Sequence, residues 1–122
     1  MKSLKFIVAL CTLSFVLPAC KTPLKVLVHV REYHERTESI KFVQTGQKLP
    51  DNIIRIGSIE VGEGGWTPAK DCSYEACMSA IENEAKRAGA DIVYLVKVVE
   101  PGTWKGTCYD ITAEFYKYTN NQ

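Results

Sequence analysis

The stretch that most restricts what this chain can fold into is residues 71–100, where a cysteine, an amphipathic helix, a glycine stop and a long apolar strand follow one another directly. Ser73 is placed to accept hydrogen bonds from the first helix amides, which lack partners inside the helix. Glu75 lies at the positive end of the helix dipole, and Lys86 and Arg87 lie at the negative end. Gly89 supplies the left-handed residue that ends the helix. Tyr74, Cys77, Ile81, Ala85 and Ala88 recur at helical spacing and share one face, while Glu75, Glu82, Lys86 and Arg87 populate the others. That face needs a sheet to cover, and the small side chains of Ala80, Ala85 and Ala88 allow a close approach. Residues 92–99 are apolar on both faces except at Lys97, as in a strand from the middle of a sheet.

The flanking segments supply the remaining strands. Leu24, Val26, Val28 and Val30 alternate with Lys25, Leu27, His29 and Arg31, the period of a half-buried strand. Residues 32–38 are polar and read as a turn or an exposed strand extension. A short second strand over 39–43 puts Ile40 and Phe42 on one side and Lys41 on the other, and the Gly, Pro, Asp and Asn of 46–52 make a loop. In the strand expected over 53–61, Ile54, Ile56 and Ser58 alternate with Ile53, Arg55, Gly57, Ile59 and Val61, and Gly57 marks a bulge or a close approach by the helix. Residues 62–70 form a glycine-rich loop. After Pro101 and Gly102, a last strand over 105–118 sets Tyr109, Ile111, Ala113 and Phe115 against Asp110, Thr112 and Glu114, so it is covered on one side. The expectation is an α+β fold, one amphipathic helix packed on a four- to five-stranded mixed sheet. The strand–helix–strand order permits a right-handed crossover.

The first residues read as an address rather than part of the fold. Lys2 and Lys5 precede an apolar run over 6–17 that is too short to span a bilayer comfortably, and Leu17-Pro18-Ala19-Cys20 follows. This resembles the lipobox of bacterial lipoproteins, which implies cleavage of residues 1–19 and acylation of Cys20. The alternatives are ordinary secretion after Ala19 and an uncleaved anchor. Lys21 is not the aspartate that retains lipoproteins in the inner membrane of enteric bacteria, so the outer membrane is favoured. Residues 20–23 would be a minimal lipid-anchored tether, and 24–122 one domain. Two or more acyl chains would anchor it stably.

Cleavage leaves 103 of the 122 residues, enough for one core with a modest margin. It also removes two of the 15 basic residues and none of the 14 acidic ones, so no basic stripe suggests nucleic acid. Of five cysteines, Cys11 leaves with the leader and Cys20 is acylated, so Cys72, Cys77 and Cys108 remain in an oxidising compartment as one disulfide and one thiol left over.

The run Ile-Gly-Ser-Ile-Glu-Val from Ile56, the Asp71-Cys72 pair at a helix start, Ala88-Gly89-Ala90-Asp91-Ile92-Val93 and Gly106-Thr107-Cys108-Tyr109 together resemble the RcsF and YbjQ-like lipoprotein domains and related small lipoproteins of Bacteroidetes. The likeness covers roughly the last two thirds of the mature chain. It implies a bridge between the cysteine before the helix and that of the final hairpin, here Cys72 and Cys108, and a role in reporting envelope stress. Cys77 has no counterpart in that pattern.

Other candidate sites are weaker. Cys77 on the apolar helix face behaves as a small hydrophobe, or else joins Cys72 and Cys108 in a redox or metal site. Against the metal, Cys-x4-Cys lacks the two-residue zinc spacing and a fourth ligand, and His29 and His34 lie far off in sequence. Gly62-Glu63-Gly64-Gly65 has no following Lys-Ser/Thr and carries an acid, which rules against a phosphate loop. Trp66 and Trp104, if exposed in their loops, would mark a partner surface; packing over the core edge is the alternative. Glu82 and Glu84 point to different helix faces, and no Ser-His-Asp set stands out. The reading is a non-enzymatic, cofactor-free binding domain, lipid-anchored in the membrane, with an envelope protein as partner; a thiol or metal protein is the alternative.

Overall fold

The computed structural model describes residues 24–62, 72–102 and 108–119. In chain order the elements are β1 (Lys25–Val30), β2 (Lys41–Val43), β3 (Ile53–Gly62), α1 (Tyr74–Ala88), β4 (Ile92–Val99) and β5 (Asp110–Tyr118). The expected α+β architecture is present: one helix on a five-stranded mixed sheet, ordered β1-β3-β5-β4-β2. Three neighbouring pairs are antiparallel, and β2 pairs with β4 in parallel. The two strands joined through α1 run in the same direction, but β5 is inserted between them. The last strand, not β4, is therefore the centre of the sheet.

The helix forms for the local reasons read above. Ser73 is its N-cap and accepts from the Ala76 amide at 3.2 Å. Gly89, at φ 82°, closes the other end in a Schellman motif: the Gly89 amide donates to the Lys86 carbonyl and the Ala90 amide to the Ala85 carbonyl. Cys77, Ile81, Ala85 and Ala88 are buried, as their spacing requires. They pack with Ile59 and Val61 of β3, Val93 and Leu95 of β4, and Ile111, Ala113 and Phe115 of β5 in one cluster. Each large aliphatic or aromatic side chain here contributes roughly 1.5–3 kcal/mol by leaving water.

The polar run 31–40 is irregular and contains no strand. It wraps the C-terminal end of α1 instead. The His34 amide donates to the Ala88 carbonyl at 3.0 Å and the Thr37 amide to the Lys86 carbonyl at 3.1 Å, while the Thr37 hydroxyl donates to the Ala90 carbonyl at 2.6 Å. The Arg87 guanidinium lies over the Tyr33 ring, 5.6 Å from its centroid. The segment is thus an irregular turn, mostly exposed in its side chains, that gives main-chain groups to a helix end rather than extending a strand.

Two bulges re-aim side chains. Register shifts between Arg55 and Gly57 in β3, and between Leu95 and Lys97 in β4. Strict alternation put Arg55 on the same side as Gly57, Ile59 and Val61. The bulge at Ile56 instead pairs Arg55 with Tyr116 and Gly57 with Phe115, so Arg55 moves to the face away from the helix while Ile56 stays buried. Gly57 does mark a close approach, but by β1 and not by the helix: a Cβ there would meet the His29 carbonyl oxygen at 2.6 Å.

The second apolar face of β4 is covered only in part: Tyr94 is half-buried and Val96 exposed, and the chain after β2 bonds along it. The Thr45 hydroxyl donates to the Leu95 carbonyl at 2.6 Å, and the Gly46 amide to the Tyr94 hydroxyl at 3.3 Å. Val43 and Ile92 are buried on this side, outside the main cluster. Elsewhere the face opposite the helix carries Arg55, Ser58 and Glu60 of β3 with Thr112, Glu114 and Tyr116 of β5, and among the described residues no helix or second sheet covers it.

Candidate functional site

At the N-terminal end of α1, Cys72 and Cys108 form a disulfide with Cα atoms 5.0 Å apart at a sequence separation of 36. Cys72 sits just before the N-cap, and Cys108 sits just before β5, where the Tyr109 amide donates to the Cys72 carbonyl at 3.2 Å. The Tyr74 and Tyr109 rings meet edge to face at 5.6 Å beside the bridge. The bridge therefore joins the start of the helix to the start of the central strand, before that strand settles into the sheet. Cys108 is buried at 4% exposure.

Cys77 lies one turn further along the helix, on the core-facing side, with no solvent exposure. Its thiol lies 3.9 Å from the Cys72 carbonyl oxygen. Two of the three cysteines of the alternative thiol site are joined to each other and the third is under the sheet. Among the described residues, no group of three or more His, Cys, Asp and Glu side chains could hold a metal. His29 is exposed on β1, and His34 packs beside Gly89, so neither approaches the cysteines. Cys20, Trp66 and Trp104 lie outside the described residues. Among the described residues, no helix is long and apolar enough to cross a membrane.

Sequence reasoning missed the polar cluster on the open sheet face. The Arg55 Nε donates to a Glu114 carboxylate oxygen at 2.8 Å, and the Tyr116 hydroxyl donates to the same oxygen at 3.3 Å. Burial raises the Tyr116 pKa above its ordinary value, and the Glu114 charge and hydrogen bond push the same way, against a smaller lowering by Arg55. Beside this network, His29, Arg31, Arg55, Ile56, Gly57 and Ser58 line a cleft of about 260 Å³. Only the bulge at Ile56 brings Arg55 to it, and a single-residue bulge has no signature in hydrophobic periodicity beyond the isolated Gly57.

No family model and no curated protein matches the chain. Among solved structures, the fold is similar to the crystal structure of a Francisella virulence factor, FvfA, in its orthorhombic form, with 12% identity and a TM-score of 0.44. The alignment covers 80% of this chain and 99% of that one.

Proposed function

We propose that this chain is a non-enzymatic binding domain of the cell envelope, anchored by acyl chains on Cys20, favoured at the outer membrane, and engaged with another envelope protein in an RcsF-like role in stress reporting. The observation that carries the reading is the Cys72–Cys108 bridge. A structural disulfide in so small a domain supports folding in an oxidising compartment. The leader and the Leu17-Pro18-Ala19-Cys20 run support the same address and add the anchor. Within this reading Trp66 and Trp104 are the proposed partner surface, and Cys77 is a core side chain.

The test is expression of the full chain in a bacterial envelope with an alkyne-tagged fatty acid, followed by intact mass after alkylation in denaturant. Label that disappears in Cys20→Ser, with one alkylated thiol before reduction and three after it, is the expected result. Absence of label removes the anchor. Three thiols alkylated without reductant, or metal carried through purification, would transfer the function to Cys72, Cys77 and Cys108. The partner is sought by in-cell crosslinking; no crosslink to any envelope protein, together with an unchanged envelope stress response on deletion, would leave the binding role unsupported.

A further inference from the structure

We propose that the cleft between β1 and β3 on the open sheet face is a binding site for a phosphate-class oxyanion, either free or carried by a lipid head group. His29 and Ser58 are direct cross-strand neighbours there. Arg31 follows His29 two residues along, and its amide bonds the Ile56 carbonyl at 3.2 Å, which carries the pairing up to the bulge. The bulge then turns Arg55 onto the same side. Two guanidinium groups, an imidazole and a hydroxyl thus line one concavity, and no carboxylate is among the lining residues. Its volume of about 260 Å³ equals several waters at about 30 Å³ each, which is room for a phosphate group and its first substituent.

One of the two arginines is already ion-paired and, among the described residues, the other is not. Glu114 accepts from the Nε of Arg55 at 2.8 Å, and more than half of the Arg55 side chain is exposed to solvent. Arg31 makes no ion pair among the described residues. A planar donor fork beside a second arginine is the arrangement that matches phosphate geometry. Gly57, which also lines the cleft, has no room for a side chain: a Cβ there would meet the His29 carbonyl oxygen at 2.6 Å. The site does not depend on lipidation or on any envelope partner.

The experiment is an amide and arginine side-chain NMR titration of the full chain in non-ionic detergent, at constant ionic strength, with inorganic phosphate and separately with glycerol 3-phosphate. Saturable shifts at His29, Arg31, Arg55 and Ser58 are expected. Arg31→Gln should weaken binding about tenfold or more through loss of a charge-assisted bond, and Ser58→Ala should weaken it less. Lys25→Gln removes a charge from the far end of the same strand and should leave the affinity unchanged. Tighter binding of glycerol 3-phosphate supports a lipid head group, and equal or tighter binding of inorganic phosphate supports the free ion. No saturable shift with either probe, or equal weakening by Arg31→Gln and Lys25→Gln, would overturn the proposal.

Discussion

Three glycine-to-alanine substitutions separate backbone strain from close packing, because three glycines combine these causes differently. Gly46 has φ 84° and open space around its missing Cβ, so Gly46→Ala meets only the left-handed penalty, about 1–2 kcal/mol. Gly57 lacks a positive φ but has the His29 carbonyl oxygen 2.6 Å from where its Cβ would sit, so Gly57→Ala meets only the collision. Gly89 has both: φ 82°, and a Cβ position 2.6 Å from the Glu35 carbonyl oxygen and 2.7 Å from the His34 Cβ. Relief at Gly89 requires the 34–37 segment to retreat from the helix end. That retreat breaks the His34–Ala88 and Thr37–Lys86 backbone bonds and the Thr37 hydroxyl bond to Ala90, each worth about 1 kcal/mol. Gly89→Ala should therefore cost about 4–5 kcal/mol, a large share of the 5–15 kcal/mol typical of a domain. Urea unfolding followed by circular dichroism gives the three values from midpoints at a common slope. Equal losses for Gly46→Ala and Gly89→Ala would refute the claim that the 34–37 segment is locked onto the helix end.

Replacing both Cys72 and Cys108 by alanine opens a loop of 36 residues' separation and should cost about 4 kcal/mol in the chain-entropy model, read as a urea midpoint that reductant no longer changes. Ser73→Ala removes the acceptor for the Ala76 amide and should cost about 1 kcal/mol in the same assay. The folded state holds Tyr116 protonated beyond its ordinary pKa of 10.0, so its contribution to stability is full below pH 10 and is lost as pH rises through the raised value. Glu114→Gln should bring the Tyr116 midpoint back down, measured by tyrosine Cζ NMR, and an unmoved midpoint would assign the shift to burial alone.

What was legible in the chain is what repeats along it or caps an element. The face of α1 follows from the spacing of Cys77, Ile81, Ala85 and Ala88, and its two ends follow from Ser73 and Gly89, because these are local arrangements of side chain and backbone. The insertion of β5 between the strands flanking the helix is not local. Its alternation of Ile111, Ala113 and Phe115 with Thr112, Glu114 and Tyr116 says that one face is covered, and says nothing about its neighbours. The role of 34–37 was hidden for a different reason. That segment bonds through main-chain amides and one threonine hydroxyl, so no apolar residue advertises the contact. Among the cysteines, sequence separation cannot choose between Cys72 and Cys77 as the partner of Cys108. The fold separates them: Cys72 precedes the helix beside Tyr109, while Cys77 turns inward under the sheet.

The bulge at Ile56 links the core to the open face. Without it, β3 would keep strict alternation from Gly57, which pairs with Phe115, and Arg55 would lie on the helix side of the sheet with Gly57, Ile59 and Val61. A guanidinium there would be turned towards the side of the sheet that carries the apolar cluster. Doubling one residue in β3 resolves the conflict: Ile56 remains buried, Ile59 and Val61 keep their places over the core, and Arg55 emerges to meet Glu114 at 2.8 Å. Next to the extra residue, Gly57 leaves room for the His29 carbonyl oxygen of β1 where a Cβ would collide with it at 2.6 Å. The same two residues that correct the packing on one side of the sheet therefore assemble His29, Arg31, Arg55 and Ser58 on the other.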